Sequence, residues 1–212
     1  MRFKVILVIS LLTFNFAFLT FPIYAQTPDI GYSRLHPASP FYFLKAVRES
    51  LELKFAGTTR IRALRQMEFA TRRIREVKSL VKTPRQDLIE PTLERYLSHL
   101  GEAKGIINLK DAGNVIEDVT WHMGVLQTVY GQVSDTRAKR SIRNIINRLS
   151  GWDGQLISKL NSVSQLSLAR NLAASKLSGC KFLSREASAS ALNEVERVVL
   201  ADRAKICLQG LQ

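Results

Sequence analysis

Positive charge is the first chemistry this chain offers. Arg60, Arg62, Arg65, Arg72, Arg73, Arg75 and Lys78 fall within nineteen residues, and Arg137, Lys139, Arg140, Arg143 and Arg148 form a second group. Guanidinium groups at this density attract anionic lipid headgroups, envelope polyanions or nucleic acid through non-specific, salt-sensitive forces. Arg60, Arg62, Arg65, Arg72 and Arg75 read as one candidate anion-binding face of a helix, the competing reading being a solvated surface. Few aromatic residues interleave with them, so base stacking gains no support and sequence-specific nucleic-acid recognition is not expected.

Cys180 and Cys207 are the only cysteines. In an oxidising compartment such a pair reads as a disulfide, and in a reducing one as two buried thiols. A bridge needs Cα atoms within about 7 Å, whereas one unbroken helix would hold them roughly 40 Å apart, so the segment must fold back. Asn193-Glu-Val-Glu196 has the spacing of a capping box and would start a last helix, with a short helix after Ser184 before it. An intrachain bridge closing this hairpin is the favoured reading; an intermolecular bridge or free thiols are the alternatives.

His36, His99 and His122 do not fall at zinc-ligand spacings. Glu94 and Glu117 each precede a histidine by five residues, not by the three that set a di-iron pair on one helix face. No metal or cofactor is expected. The chain has no Gly-x-Ser-x-Gly elbow, no Ser-x-x-Lys context of the penicillin-binding type and no Gly-rich phosphate loop, so no catalytic residue is assigned. A wall-active hydrolase would have to work with Glu94, Glu102, Glu117 and Asp118, which spacing alone does not pair.

The elements that must carry these groups are helical. Ser39-Pro40 suits a helix start running to about Phe55, with Gly57 as its stop. Ile61, Leu64, Met67, Ala70, Ile74, Val77 and Leu80 recur every three or four residues and mark a second helix up to Pro84. Thr83-Pro84 repeats the capped start, while Pro91 either kinks a third helix or marks its true beginning; this helix should end near Asn108. All six prolines lie at or before residue 91, which permits long helices beyond it. Asn114 opens one that reaches Val133, with Val115, Val119, Val125, Leu126 and Val129 inward. Ser134 or Asp135 caps another whose seam, Ile142, Ile145, Leu149, Trp152, Leu156, Leu160 and Val163, steps at nearly 3.5 residues. Gly151 and Gly154 make a weak point in it, each costing about 1 kcal/mol relative to alanine. Leu166, Ala169, Leu172, Ala173 and Leu177 carry the pattern to Gly179. No β-type alternation of useful length occurs, and the fold class is all-α, a multi-helix bundle ending in a cysteine hairpin.

The first 25 residues give the address. Arg2 and Lys4 precede an apolar run from Val5 to Phe21, and a small residue, Ala25, closes the segment, the pattern of an export signal cut between Ala25 and Gln26. An uncleaved signal would serve instead as an N-terminal membrane anchor. Cleavage would remove Arg2, Lys4 and no acid, taking the net charge from +13 to +11. Residues 26–38 then form an extended lead-in, followed by helical regions at 39–108, 109–178 and 179–212.

The segment Leu35-His-Pro-Ala-Ser-Pro-Phe-Tyr-Phe-Leu-Lys45, followed by Glu49 and by Met67-Glu-Phe-Ala-Thr-Arg-Arg-Ile-Arg-Glu76, resembles the bacterial DUF5667 domain. That family places a Pro-x-Ser-Pro-x-Tyr-x-Leu-Lys-like segment just after an export signal. An Ala-x-x-Arg-Leu-x-Glu core follows on the second helix, matched here by Ala70, Arg73, Ile74 and Glu76, with Ile74 in place of the usual leucine. The resemblance covers about 35–108 and implies an exported helical domain without supplying a catalytic residue. As structure, the motif supplies a helix start at Ser39-Pro40, large apolar surfaces at Phe41, Phe43 and Leu44, and charge pairs at helical spacing: Lys45 with Glu49, Glu68 with Arg72, Arg73 with Glu76. A polar cluster gripping an acidic ligand is the functional alternative.

The expectation is therefore an exported, non-enzymatic binding or structural module acting in the cell envelope or outside the cell. Its partner would be an anionic envelope polymer, a membrane surface or another exported protein. An envelope enzyme using helix-borne carboxylates, or a membrane-tethered sensor resembling an anti-sigma partner, are the alternatives.

Overall fold

The computed structural model describes residues 30–106, 112–162, 166–189 and 192–210, with side chains at 30–104, 113–152, 167–189 and 192–210. The export segment with Ala25 and Gln26, and the seam positions Leu156, Leu160 and Val163, lie outside the described backbone or side chains. Among the described residues there are seven α-helices and no strand: α1 (Tyr42–Lys54), α2 (Thr59–Leu80), α3 (Ile89–Ile106), α4 (Ala112–Tyr130), α5 (Thr136–Ser162), α6 (Leu166–Ala187) and α7 (Glu194–Gln209). The fold class is all-α.

Helix starts follow local hydrogen bonding, not proline alone. Thr58 caps α2 by accepting from the Ile61 amide at 3.2 Å, and Asp135 caps α5, its Oδ1 accepting from Ala138 at 2.7 Å. Ser39 and Pro40, expected to open α1, instead belong to consecutive turns: the Ser39 amide donates to the His36 carbonyl at 2.8 Å, and Tyr42 donates to Ser39 at 3.1 Å. The helix begins two residues later behind Phe41, with no side-chain cap. Pro91 falls in the first turn of α3, where its missing N–H leaves no bond broken, and a 3-10 turn over Gln86–Leu88 occupies the start expected at Thr83-Pro84. Gln86 ties that turn down, its Oε1 accepting from the Ser134 and Asp135 amides at 2.9 and 3.1 Å.

Packing runs through neighbours in sequence. Helix α2 lies against α3, α5 against α6 and α6 against α7, while α4 lodges between these sets, touching α2 on one side and α5 and α6 on the other. One apolar cluster runs through the whole array, from Ile30 and Met67 through Leu93, Met123 and Ile146 to Leu200 and Ala204. Val115, Val119, Leu126, Val129, Ile142, Ile145, Leu149 and Trp152 are buried as the periodicity predicts, and α5 continues through Gly151 and Gly154 without a break. Ile61 and Leu64 are exposed, against expectation. Each three-residue step falls about 60° short of a full turn, so the succession Ile61, Leu64, Met67, Ala70 drifts around α2 and carries its first members out of the core.

The C-terminal hairpin forms, by a different route from the one expected. Helix α6 runs past Gly179 and Cys180 to Ala187, so no separate short helix follows Ser184. Gly179 is where α6 crosses α4 and α5: an added Cβ would run into Ser150 Oγ and the Met123 side chain. Asn193 caps α7 by accepting from the Glu196 amide at 2.8 Å, but the Glu196 carboxylate reaches to Arg140, not back to the cap. Cys180 and Cys207 are bridged, their Cα atoms 5.6 Å apart across 27 residues, and a loop of that length stabilises by about 3–4 kcal/mol on the chain-entropy model.

Candidate functional site

Helix α1 is mounted inside out. Its apolar residues Phe41, Leu44, Val47, Leu51 and Phe55 face solvent, Phe41 being 61 % and Phe55 78 % exposed. The stripe turned inward is polar: Tyr42, Lys45, Glu49 and Glu52. The cause lies on α2 and α3, which present Arg72, Arg73, Glu76 and Arg95 to it. Lys45 pairs with Glu76, and Glu49 with Arg73. Arg72 reaches Glu52 at 3.0 Å and Glu68 at 2.6 Å, and the Arg73 to Glu76 pair, at 3.2 Å, closes the set. Four cations, Lys45, Arg72, Arg73 and Arg95, thus stand among four carboxylates, Glu49, Glu52, Glu68 and Glu76.

Tyr42 is the hub. Its hydroxyl donates to Glu76 at 3.0 Å and accepts from Arg73 and from Arg95, the latter at 2.9 Å, while both guanidinium groups lie over its ring at 5.8 and 5.2 Å. Burial, and then the Glu76 charge, push the phenol far above its ordinary range. Burial also lowers Lys45, against the raising effect of Glu76. Burial raises Glu52 and Glu68, but their hydrogen bonds to arginine outweigh it and hold both below the usual carboxylate value. Of the charge pairs expected along single helices, Glu68 with Arg72 and Arg73 with Glu76 form within α2, and both arginines bond to α1 as well. Lys45 and Glu49, one turn apart, each bond to α2 instead of to each other; the spacing showed the residues, and only packing could show their partners.

Beside this network lies an open cleft of about 490 Å³ between the lead-in, α1 and α2. The lead-in is pinned by the Ser33 amide donating to Ser79 Oγ at 2.8 Å and by Ile30 in the core, with Gly31 turning at φ +73°. Arg34, Lys45, Arg48, Arg72 and Arg75 line the cleft, with Glu68 as its single carboxylate. Neither Arg34 nor Arg75 forms an ion pair among the described residues. Tyr32, also lining it, has the ammonium groups of Lys78 and Lys82 over its ring at 4.4 and 4.0 Å. Of the five arginines expected to share a face, Arg75 is here and exposed, Arg72 is consumed by three carboxylates, Arg65 pairs with Glu68 at 2.6 Å, and Arg60 and Arg62 stand on the first turn of α2. Arg34 went unnoticed, because the lead-in offers no periodicity that would have placed it beside α2. In the second basic group, Arg143 is buried against the Tyr130 hydroxyl at 2.9 Å and Arg140 pairs with Glu196 at 2.5 Å.

The candidate carboxylates do not converge. Glu94 lines a separate cleft with Glu90, faced by Arg148 and Arg203, while Glu102 and Glu117 are exposed elsewhere. Burial, then the neighbouring Glu117 charge, raise Asp118 against the lowering effect of Arg75, which forms no ion pair with it. His122 is fully buried, its Nε2 3.0 Å from Thr71 Oγ1 and its Nδ1 3.4 Å from the Tyr96 hydroxyl. Among the described residues no group of three or more histidine, cysteine or acidic side chains could hold a metal ion.

Residues 34–136 match the family model of DUF5667, a domain of unknown function. The match extends past residue 108 to take in α4, and it covers the ion network and the cleft residues from Arg34 onward. No curated protein and no solved structure matches the chain significantly.

Two outcomes are expected. Glu76→Gln strands Lys45 and Arg73 in a buried setting and should cost about 3–5 kcal/mol in urea unfolding, with new proteolytic cleavage at Arg48 or Lys54 as α1 detaches; a loss below about 1 kcal/mol would show the network to be dispensable. The second concerns acid. Burial, then the Arg75 charge, push His122 down to about 3, and burial, then Arg73 and Arg95, push His99 down to about 4. An unfolded histidine takes up its proton near pH 6.5, so between about pH 6.5 and 4 the unfolded chain binds more protons and stability falls as pH falls. The melting temperature of His122→Gln should therefore drop less between pH 7 and pH 5 than that of the native chain, and parallel curves would contradict this.

Proposed function

We propose that this DUF5667-containing chain is an exported, non-enzymatic binding module that holds an anionic partner in the cleft between the lead-in, α1 and α2. The observation that carries the reading is the pair Arg34 and Arg75, two guanidinium groups of different segments lining one cleft with no ion pair of their own. Charge on a solvated helix surface is ordinarily balanced or scattered; here fixed elements bring it together while the neighbouring arginines are already neutralised. Attraction of this kind is long-ranged and selects for charge density over sequence, which suits an envelope polymer or a lipid headgroup.

Export rests on two supports. The first 25 residues have the order of a signal segment, and the Cys180–Cys207 bridge is consistent with an oxidising compartment. If the signal is removed, the N-terminus of the mature protein is Gln26; mass spectrometry of the protein recovered outside the cytoplasm should find it there, and an intact Met1 N-terminus would make the segment an anchor instead.

Inorganic polyphosphate, a soluble polyanion, tests the cleft. Its affinity should fall steeply and linearly on a log–log plot against salt, and Arg34→Ala with Arg75→Ala should lower it at least about tenfold while reducing the slope by about two, one per charge removed. Salt-independent binding, or an unchanged slope in the double variant, would move the site elsewhere.

A further inference from the structure

The uncovered apolar side of α1 is contiguous with the cationic cleft. Leu44 and Arg48 line both the cleft and an apolar groove of about 570 Å³ that continues through Val47, Leu51, Phe55 and Ile61. Within the groove Arg48 and Arg65 are basic, and Lys54, Arg60 and Arg62 stand exposed on the adjoining turns. Carboxylates already hold part of this charge, Glu52 on Arg48 and Glu68 on Arg65, while Glu49 is buried against Arg73 and away from the groove. A cationic cleft and an apolar strip therefore share one wall.

Anionic phospholipid bilayers present that same juxtaposition, phosphate above hydrocarbon. We propose that α1 is a bilayer-docking helix, lying in the plane of an anionic membrane with Leu44, Val47, Leu51 and Phe55 below the headgroups and Arg34 and Arg75 on the phosphates. In-plane helices use this division, large apolar side chains on the lipid side and basic residues at the headgroup level. The ion network explains how such a helix stays soluble in the absence of lipid: its polar stripe is already satisfied by α2 and α3, so the apolar stripe has no route into the core. A second copy of the chain is the weaker occupant, because symmetric contact through this face would set one basic rim, with Lys54 and Arg62, against the same rim of the other copy.

The inference rests on the anionic-partner reading, and co-sedimentation separates the two. Full-length mature chain is mixed with vesicles of equal phosphatidylglycerol and phosphatidylcholine, with pure phosphatidylcholine vesicles, and with soluble polyphosphate. Leu51→Gln with Phe55→Gln replaces two exposed side chains and should leave the helical circular dichroism intact. That variant should lose about a hundredfold in affinity for the mixed vesicles and keep its affinity for polyphosphate, while pure phosphatidylcholine binds neither protein. Native-like vesicle binding by the variant would overturn the docking role, as would native protein that binds polyphosphate but no vesicle. So would a native dimer in sedimentation velocity that the variant abolishes without any vesicle binding, which would assign the face to a second copy. Failure of the native protein on both vesicles and polyphosphate would remove the anionic-partner reading itself.

Discussion

Everything distinctive about this molecule depends on a buried set of ion pairs linking α1 to α2 and α3. Glu76 is wholly enclosed, and Lys45, Arg73 and Tyr42 converge on it. Taking such charges out of water costs nearly as much as their mutual attraction returns, so the network adds little net stability over an apolar contact of the same size. What it does decide is orientation. Once Tyr42, Lys45, Glu49 and Glu52 are satisfied by partners on α2 and α3, rotating α1 to bury its leucines would strand those partners uncompensated, and the loss would exceed the hydrophobic gain.

The rest of the chain is built the ordinary way, and the contrast is instructive. From α2 to α7 the apolar stripes meet in one main core, where His122 is bonded to Thr71 and Tyr96 while Thr120, Trp152 and Ser175 each bury a polar atom without a partner. In the α1 contact too a group goes unsatisfied, Arg73 Nε being buried without a partner. Such an orphan at the centre of the α1 contact fits an assembly whose geometry is set by competing charges. A helical scaffold thus carries one helix mainly by charge, and that helix borders the cleft.

Much of this was legible in the residues. Periodicity found the core of α2, α4 and α5, the Asn193 cap and the fold-back demanded by Cys180 and Cys207. The motif running from Leu35 to Lys45 and on to Glu76 is visible as a motif, and it supplies all of the network but Glu52 and Arg95. The sense of α1 was not legible, because an amphipathic pattern gives two faces and the usual rule assigns the apolar one inward; only the matching charges on α2 and α3 reverse it. Arg34 was missed for a related reason, since an irregular segment gives no face at all. Glycine reads as a helix stop and so sets the expected end of α6 at Gly179, whereas here it answers a crowding that lies far away in sequence.

That crowding also limits how the molecule can move. A slide of α6 by one turn would bring Ser175 or Leu183 to the place of Gly179, against Met123 and Ser150, where even a single added carbon collides. Shear between α6 and its neighbours is therefore blocked, and the crossing behaves as a fixed bearing. That bearing holds α4, α5 and α6 to one another, whereas α1 takes its position from charges on α2 and α3, so the two ends of the molecule are fixed by unrelated physics.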